Sequence, residues 1–226
     1  MGKLTVVTLL AVSEAAERLG VTTRQVQHLA AQGAIQMVAR GVVDAASVDR
    51  HLAVHATVHR RAWSEMTAWG AVALLSGVVP EWLGASQTSR LKGRLRNLSA
   101  SQLVERARQR ARVSRYVGHS RSAHRVAAEL VRASPSSAAL GLADSSDVDG
   151  YLSSRDLPAM VRRHGLRRDD GGRVTLRATL ASMAIVESVA DAGPVLAALD
   201  LAESLDARQR EVGLEVLTAA LARIRA

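Results

Sequence analysis

The chain of 226 residues has no cysteine and no phenylalanine, only two tyrosines, three tryptophans and four prolines. Without cysteine there can be no disulfide and no thiolate chemistry, and a zinc site would have to be made from histidine and carboxylates alone. Lysine is almost missing too: of 30 basic residues only Lys3 and Lys92 are lysines, and the rest are arginines. No run of about 18 uncharged apolar residues occurs, so no membrane span is expected. The start Met1-Gly2-Lys3-Leu4 does not open a signal peptide with an apolar core and a cleavage site. Together these absences lead us to expect a soluble, cytoplasmic protein with no membrane partner.

What is present is aliphatic and basic. Hydrophobic residues make up 48% of the chain, mostly Ala, Val and Leu, which excludes a disordered tail and suits closely packed helices. The formal charge of +9 is unevenly placed: residues 60–132 carry fourteen Lys or Arg against four acids, and the rest is close to neutral. An arginine-rich block of this kind either meets an anionic surface such as nucleic acid or is an ordinary solvated face.

Local signals divide the chain into three segments, 1–58, 59–133 and 134–226, and predict a mainly helical α+β protein. In the first, Ser13 to Leu19 reads as a short helix with Ser13 as N-cap and Gly20 as its end. Thr22 or Thr23 caps a second helix through Gln32, Val38–Val43 turns at Arg40-Gly41 as a small wing, and Asp44 caps a third helix to about His55. The second segment reads as helices over Ser64–Ser76, Ser86–Leu98, Ser99–Arg112 and Arg121–Arg132, with a strand at Val113–Val117. In the third, Ser134-Pro135-Ser136-Ser137 and Asp144–Gly150 read as polar loops and Leu166–Leu176 as a β-hairpin around Asp169-Asp170-Gly171-Gly172. From Pro194 the chain reads as helical to the end, with Asp206 capping the final helix.

The segment Val12-Ser13-Glu14-Ala15-Ala16-Glu17-Arg18-Leu19-Gly20-Val21-Thr22-Thr23-Arg24-Gln25-Val26-Gln27-His28-Leu29 carries the strongest signal. Small Ala15 and Ala16 let two helices approach, Leu19, Val21, Val26 and Leu29 can fill the seam, and Gly20 permits the sharp change of direction. With Val26 and Leu29 inward, Thr23, Arg24, Gln27 and His28 turn outward. In a major groove Arg24 can pair with guanine and Gln27 with adenine, beside His28, while Thr22, Thr23 and Arg40 would position phosphates.

This segment resembles the helix-turn-helix of the MerR and excisionase superfamily, in which an acidic Ala-Ala helix is followed by Leu-Gly-Val-Ser/Thr, then Arg and an aliphatic residue. The likeness continues through Gly33-Ala34-Ile35 and covers residues 9–55. It departs at the wing, where the family's basic-aromatic strand is replaced by Gln36–Val43 with only Arg40. The whole chain, with its ending Ala197-Ala198-Leu199-Asp200-Leu201-Ala202-Glu203-Ser204, is similar to actinobacterial antitoxins of the AbiE abortive-infection type. That resemblance implies an N-terminal winged helix-turn-helix that represses its own operon and a C-terminal domain that opposes a nucleotidyltransferase-like toxin.

Other constellations carry less. His51, His55 and His59 lie on one helical stripe but share it with no acid, which favours a solvated or DNA-facing row over a metal site. Ser145–Gly150 with Asp156 only echoes a calcium loop, Asp169–Gly172 lacks the lysine of a phosphate-binding loop, and Gly118-His119-Ser120 has no acid partner. The three tryptophans bracket an apolar helix and suit burial. Arg90, Lys92, Arg94 and Arg96, then Arg106 and Arg110, read as a cationic helical face for phosphates or an acidic partner protein.

The expectation is therefore a sequence-specific repressor without cofactor or catalytic activity, binding a double-stranded operator as a dimer. As an antitoxin it would pair with a toxin protein. The alternatives are an excisionase-like architectural factor that bends DNA, and an antitoxin that acts by protein contact alone.

Overall fold

The computed structural model describes residues 8–55, 62–133, 147–204 and 206–225. It is a mixed α/β structure with two small sheets, in agreement with the α+β expectation. Among the described residues no helix is long and apolar enough to cross a membrane.

The N-terminal unit comprises β1 (Leu9–Ala11), α1 (Val12–Leu19), α2 (Thr23–Ala31), β2 (Met37–Ala39), β3 (Val42–Asp44) and α3 (Ala45–His55). Ser13 is not the cap of α1 but lies in its first turn. The helix starts directly from β1, and the Glu14 carboxylate accepts from Ala11 N–H at 2.8 Å to close its end. Gly20 ends α1 at φ 66°, a left-handed conformation that costs a side chain about 1–2 kcal/mol. Thr22 Oγ1 accepts from Gln25 N–H to cap α2, and the Asp44 carboxylate accepts from Ser47 N–H to cap α3. Ala15, Ala16, Val26, Ile35, Val43 and Val48 form the unit's own core, with Leu19 and Leu29 partly buried against it. Val21, placed in the seam by its spacing, is exposed.

The remaining elements are α4 (Glu65–Leu75), α5 (Ala85–Arg96), α6 (Ala100–Ala107) with a 3-10 turn at Arg108–Arg110, β4 (Arg112–Val117) and α7 (Ser120–Ala128). They continue with β5 (Val148–Ser153), α8 (Leu157–Arg163), β6 (Arg167–Arg168), β7 (Val174–Thr179), α9 (Met183–Asp191), α10 (Val195–Ala202) and α11 (Ala207–Arg225). The sheet order is β5-β7-β4-β6, with β7 parallel to β5 and antiparallel to β4. Alternation along β7 sends Val174, Leu176 and Ala178 into a core with Val126 and Met160. Its other face presents Arg177 and Thr179 to the helices, where Trp69 Nε1 donates to Thr179 Oγ1 at 3.0 Å and the Trp69 ring meets Tyr151 edge-on.

Three expectations are corrected here, and one holds. Leu166–Leu176 is not a hairpin: β6 and β7 pair with opposite sides of β4, so the Gly-rich turn crosses the end of that strand. A Cβ at Gly172 would lie 2.2 Å from the Tyr116 carbonyl oxygen, so only glycine fits that crossing. Val148–Gly150, read as part of a polar loop, lies in β5, while residues 134–146 are outside the described ones. From Pro194 the chain is helical as expected, in α10 and α11, and the Asp206 carboxylate accepts from Arg208 and Gln209 N–H at 2.8 and 3.1 Å to cap the final helix. The two helices pack so closely that a Cβ at Gly213 would lie 2.5 Å from Ala198 O. Finally, the boundary near residue 133 is not structural. One core joins Trp69, Leu95 and Leu103 to Leu196, Leu217 and Leu221, and β4 sits within the sheet of the third segment.

Candidate nucleic-acid interface

On α2 the inward side is fixed by Val26, which is fully buried, and the opposite side carries Thr23, Arg24, Gln27 and His28, all exposed. Thr22 is exposed at the helix start, where its hydroxyl oxygen is already used by Gln25 N–H. The Gln32 side-chain amide sits 2.8 Å from His28 Nε2 and extends this polar row by one residue that the sequence reading missed. Behind α2, α1 is tied to α3 by Arg18 and Asp49 at 2.7 Å. Arg40 is exposed at the tip of the β2–β3 turn, where Gly41 adopts φ 81°. The structure thus brings Thr22, Thr23, Arg24, Gln27 and His28 onto one helix and places Arg40 on the neighbouring turn.

The unit meets the rest of the protein at the Arg167–Gly172 segment. His51 Nδ1 lies 3.5 Å from Asp170 Oδ2, the Arg50 guanidinium lies against Gly171, and a Cβ at Gly33 would lie 2.7 Å from Arg168 O. His51, expected in a solvated row, is therefore buried at this junction. The His55 side chain and His59 fall outside the described residues. Among the described residues no group of three or more His, Asp or Glu is placed to hold a metal ion.

The second basic set does not form one face. Arg90, Lys92 and Arg94 are exposed on α5, which packs on α4 and α11. Arg96 donates to Ile224 O at 3.3 Å, and Arg225 donates to Arg96 O and Leu98 O at 2.9 and 2.6 Å, so these two arginines bind together the C-terminal ends of α5 and α11. Arg106 is half-buried on α6. Arg110 is corrected outright: it is 1% exposed and cannot reach a phosphate, because it closes the 3-10 turn that follows α6 with its side chain inward.

Around Arg110 is a polar network that the sequence reading did not find. Its guanidinium donates to Asp200 at 2.7 Å, to both Glu203 oxygens at 2.6 and 2.9 Å, and to Tyr151 Oη at 3.0 Å, while Tyr151 donates to Asp200 at 2.6 Å. Arg177 grips Asp149 with two bonds of 2.7 and 2.9 Å and also reaches Asp200 and Glu203. Burial opposes the charge on Arg110, but Glu203, Tyr151 and Asp200 together outweigh it and hold its pKa well above the ordinary value. Burial pushes Tyr151 up as well. Burial and the charge of Arg177 lower Arg115, whose other electrostatic neighbours include Asp149, Asp170 and Arg50. Alternating charges thus run across the polar face of the sheet from the junction with the N-terminal unit to α10. One signal was available: Asp200 is the only charge in the apolar Val195–Ala202, and a lone charge on an apolar helix implies a buried partner.

A cleft of about 270 Å³ between β5, α8 and α9 is rimmed by Glu129, Asp156, Glu187 and Arg163, the wrong balance for a phosphate. Glu129 there already holds Arg163 at 2.6 Å and His164 at 2.8 Å. Comparison of the chain with known protein families, characterised proteins and solved structures finds no match.

Proposed function

We propose that this protein is a sequence-specific DNA-binding regulator whose N-terminal unit is a winged helix-turn-helix. In this reading α1 and α2 form the helix-turn-helix, β2–β3 is the wing, and the exposed side of α2 enters the major groove. The observation that carries it is the composition of that side: Thr23, Arg24, Gln27 and His28 all hydrogen-bond, and none is drawn into an ion pair. Arg24, Gln27 and His28 read base edges. Thr22, Thr23 and Arg40 position the phosphates, helped by the free N–H groups at the start of α2. A single unit of this size binds weakly, so the operator is expected to be two-fold and the protein dimeric.

We further propose, on the resemblance to AbiE-type antitoxins, that the regulated operon is the protein's own and that it encodes a nucleotidyltransferase-like toxin. The test is a titration against the protein's own upstream duplex and a scrambled duplex at two salt concentrations. Selective binding that persists at the higher salt supports the regulator, and equal binding to both duplexes removes the specific role of α2.

A further inference from the structure

The exposed face of α5 carries cations and no acid. Leu91 and Leu95 are buried against the bundle and define its inner seam. Helical geometry then puts Arg90 and Arg94 on one flank of that seam and Lys92 and Arg96 on the other. Between the two flanks the outer crest is Ser86, Ser89, Gly93 and Asn97, small and uncharged, and a Cβ at Gly93 would meet nothing within 4 Å. With Arg96 occupied by the end of α11, the cations left without an ion-pair partner are Arg90, Lys92 and Arg94. No Asp or Glu occurs between Glu81 and Glu105 to neutralise them.

We infer that this face of α5 is a second, sequence-independent docking site for the phosphate backbone of double-stranded DNA. The low crest lets a strand lie close to the helix axis while cations reach it from both sides. A protein partner is the poorer fit, because protein interfaces centre on large apolar and aromatic side chains and the exposed arc of α5 has none, its one apolar residue being Ala85. The inference rests on the DNA-binding reading for its choice of ligand, but it does not depend on α2.

The test uses the full chain and measures how affinity falls with salt on the two duplexes named above. Each phosphate contact contributes close to one unit of slope in a plot of log affinity against log salt. Arg90→Gln with Arg94→Gln is expected to lower the slope by about two and to weaken both duplexes equally, and Lys92→Gln alone, from the other flank, by about one. Arg24→Ala is expected to narrow the gap between the duplexes and leave the slope near its original value. If the unaltered protein shows no preference but the α5 variants still lower the slope, the α2 reading fails and this one stands. An unchanged slope in the α5 variants overturns the inference. So does binding of polyglutamate as tight as that of duplex, which would move this face to an acidic protein.

Discussion

Two arginines buried between a sheet and a helix pair must be met by carboxylates, and the way Asp200 and Glu203 divide that task makes stability depend on pH. Burial works to raise Glu203, but Arg110 and Arg177 outweigh it and hold the carboxyl below its ordinary value. A carboxylate depressed in this way adds stability above its unfolded pKa, and that stability is lost as pH falls through the folded value. Asp200 moves in the opposite direction: burial raises it despite Arg177 and Arg110, so its contribution is complete at low pH and declines as pH rises through the folded value. In denaturant melts across a pH series, Glu203→Gln should therefore flatten the loss of stability below about pH 4, and Asp200→Asn should not. On the exposed side of α2 the expectation is simpler. Arg24→Ala should cost about 1–3 kcal/mol on the cognate duplex and much less on a scrambled one, and equal losses on both would remove Arg24 from the base-reading set.

Elements fixed by neighbouring residues were legible, and elements fixed by distant ones were not. Gly20, Thr22, Gly41 and Asp44 act on backbone groups within a few positions, so α1, α2, the β2–β3 turn and α3 fall close to where the sequence puts them. The same holds for α4, α5 and β4. Leu166–Leu176 has the composition of a hairpin, but whether two strands pair with each other or with a third depends on β4, about 50 residues earlier, and no local signal carries that. β5 was hidden because Asp147-Val148-Asp149-Gly150 has turn residues. Asp149 is in fact there to meet Arg177, and Gly150 because a Cβ would lie 2.8 Å from Leu130 Cβ. Of the proposed site, the outward set on α2 was readable from helical spacing alone. The loss of Arg110 to the interior was not, since its partners lie about 90 residues away. The strand crossing supplies its own prediction. Gly172→Ala should destabilise the fold by about 1–3 kcal/mol, measured by chemical denaturation, because the contact it forces is with the backbone of Tyr116 and no side chain can move to relieve it.

At the scale of the whole molecule the N-terminal unit, with its own core, meets the rest of the protein and its two further cores across a small polar junction, and the two parts should respond to damage separately. Leu217 is fully buried in the helical core, and Leu217→Ala should cost about 2–5 kcal/mol. Hydrogen exchange should show protection falling across α4, α5, α6, α10 and α11 and holding in α1 to α3, while uniform loss would show that the two units unfold as one. The same arrangement governs how the protein emerges from the ribosome. The N-terminal unit has every residue of its own core once α3 is made, whereas the helical core that starts with Trp63 is not closed until Leu221. From Leu103 to Leu221 synthesis adds about 120 residues, roughly 6–24 s at about 5–20 residues per second. During that interval the nascent chain carries a finished head and an open, greasy half-bundle, a natural client for a chaperone. A premature stop inside α11 would therefore release a folded N-terminal unit attached to an aggregation-prone remainder.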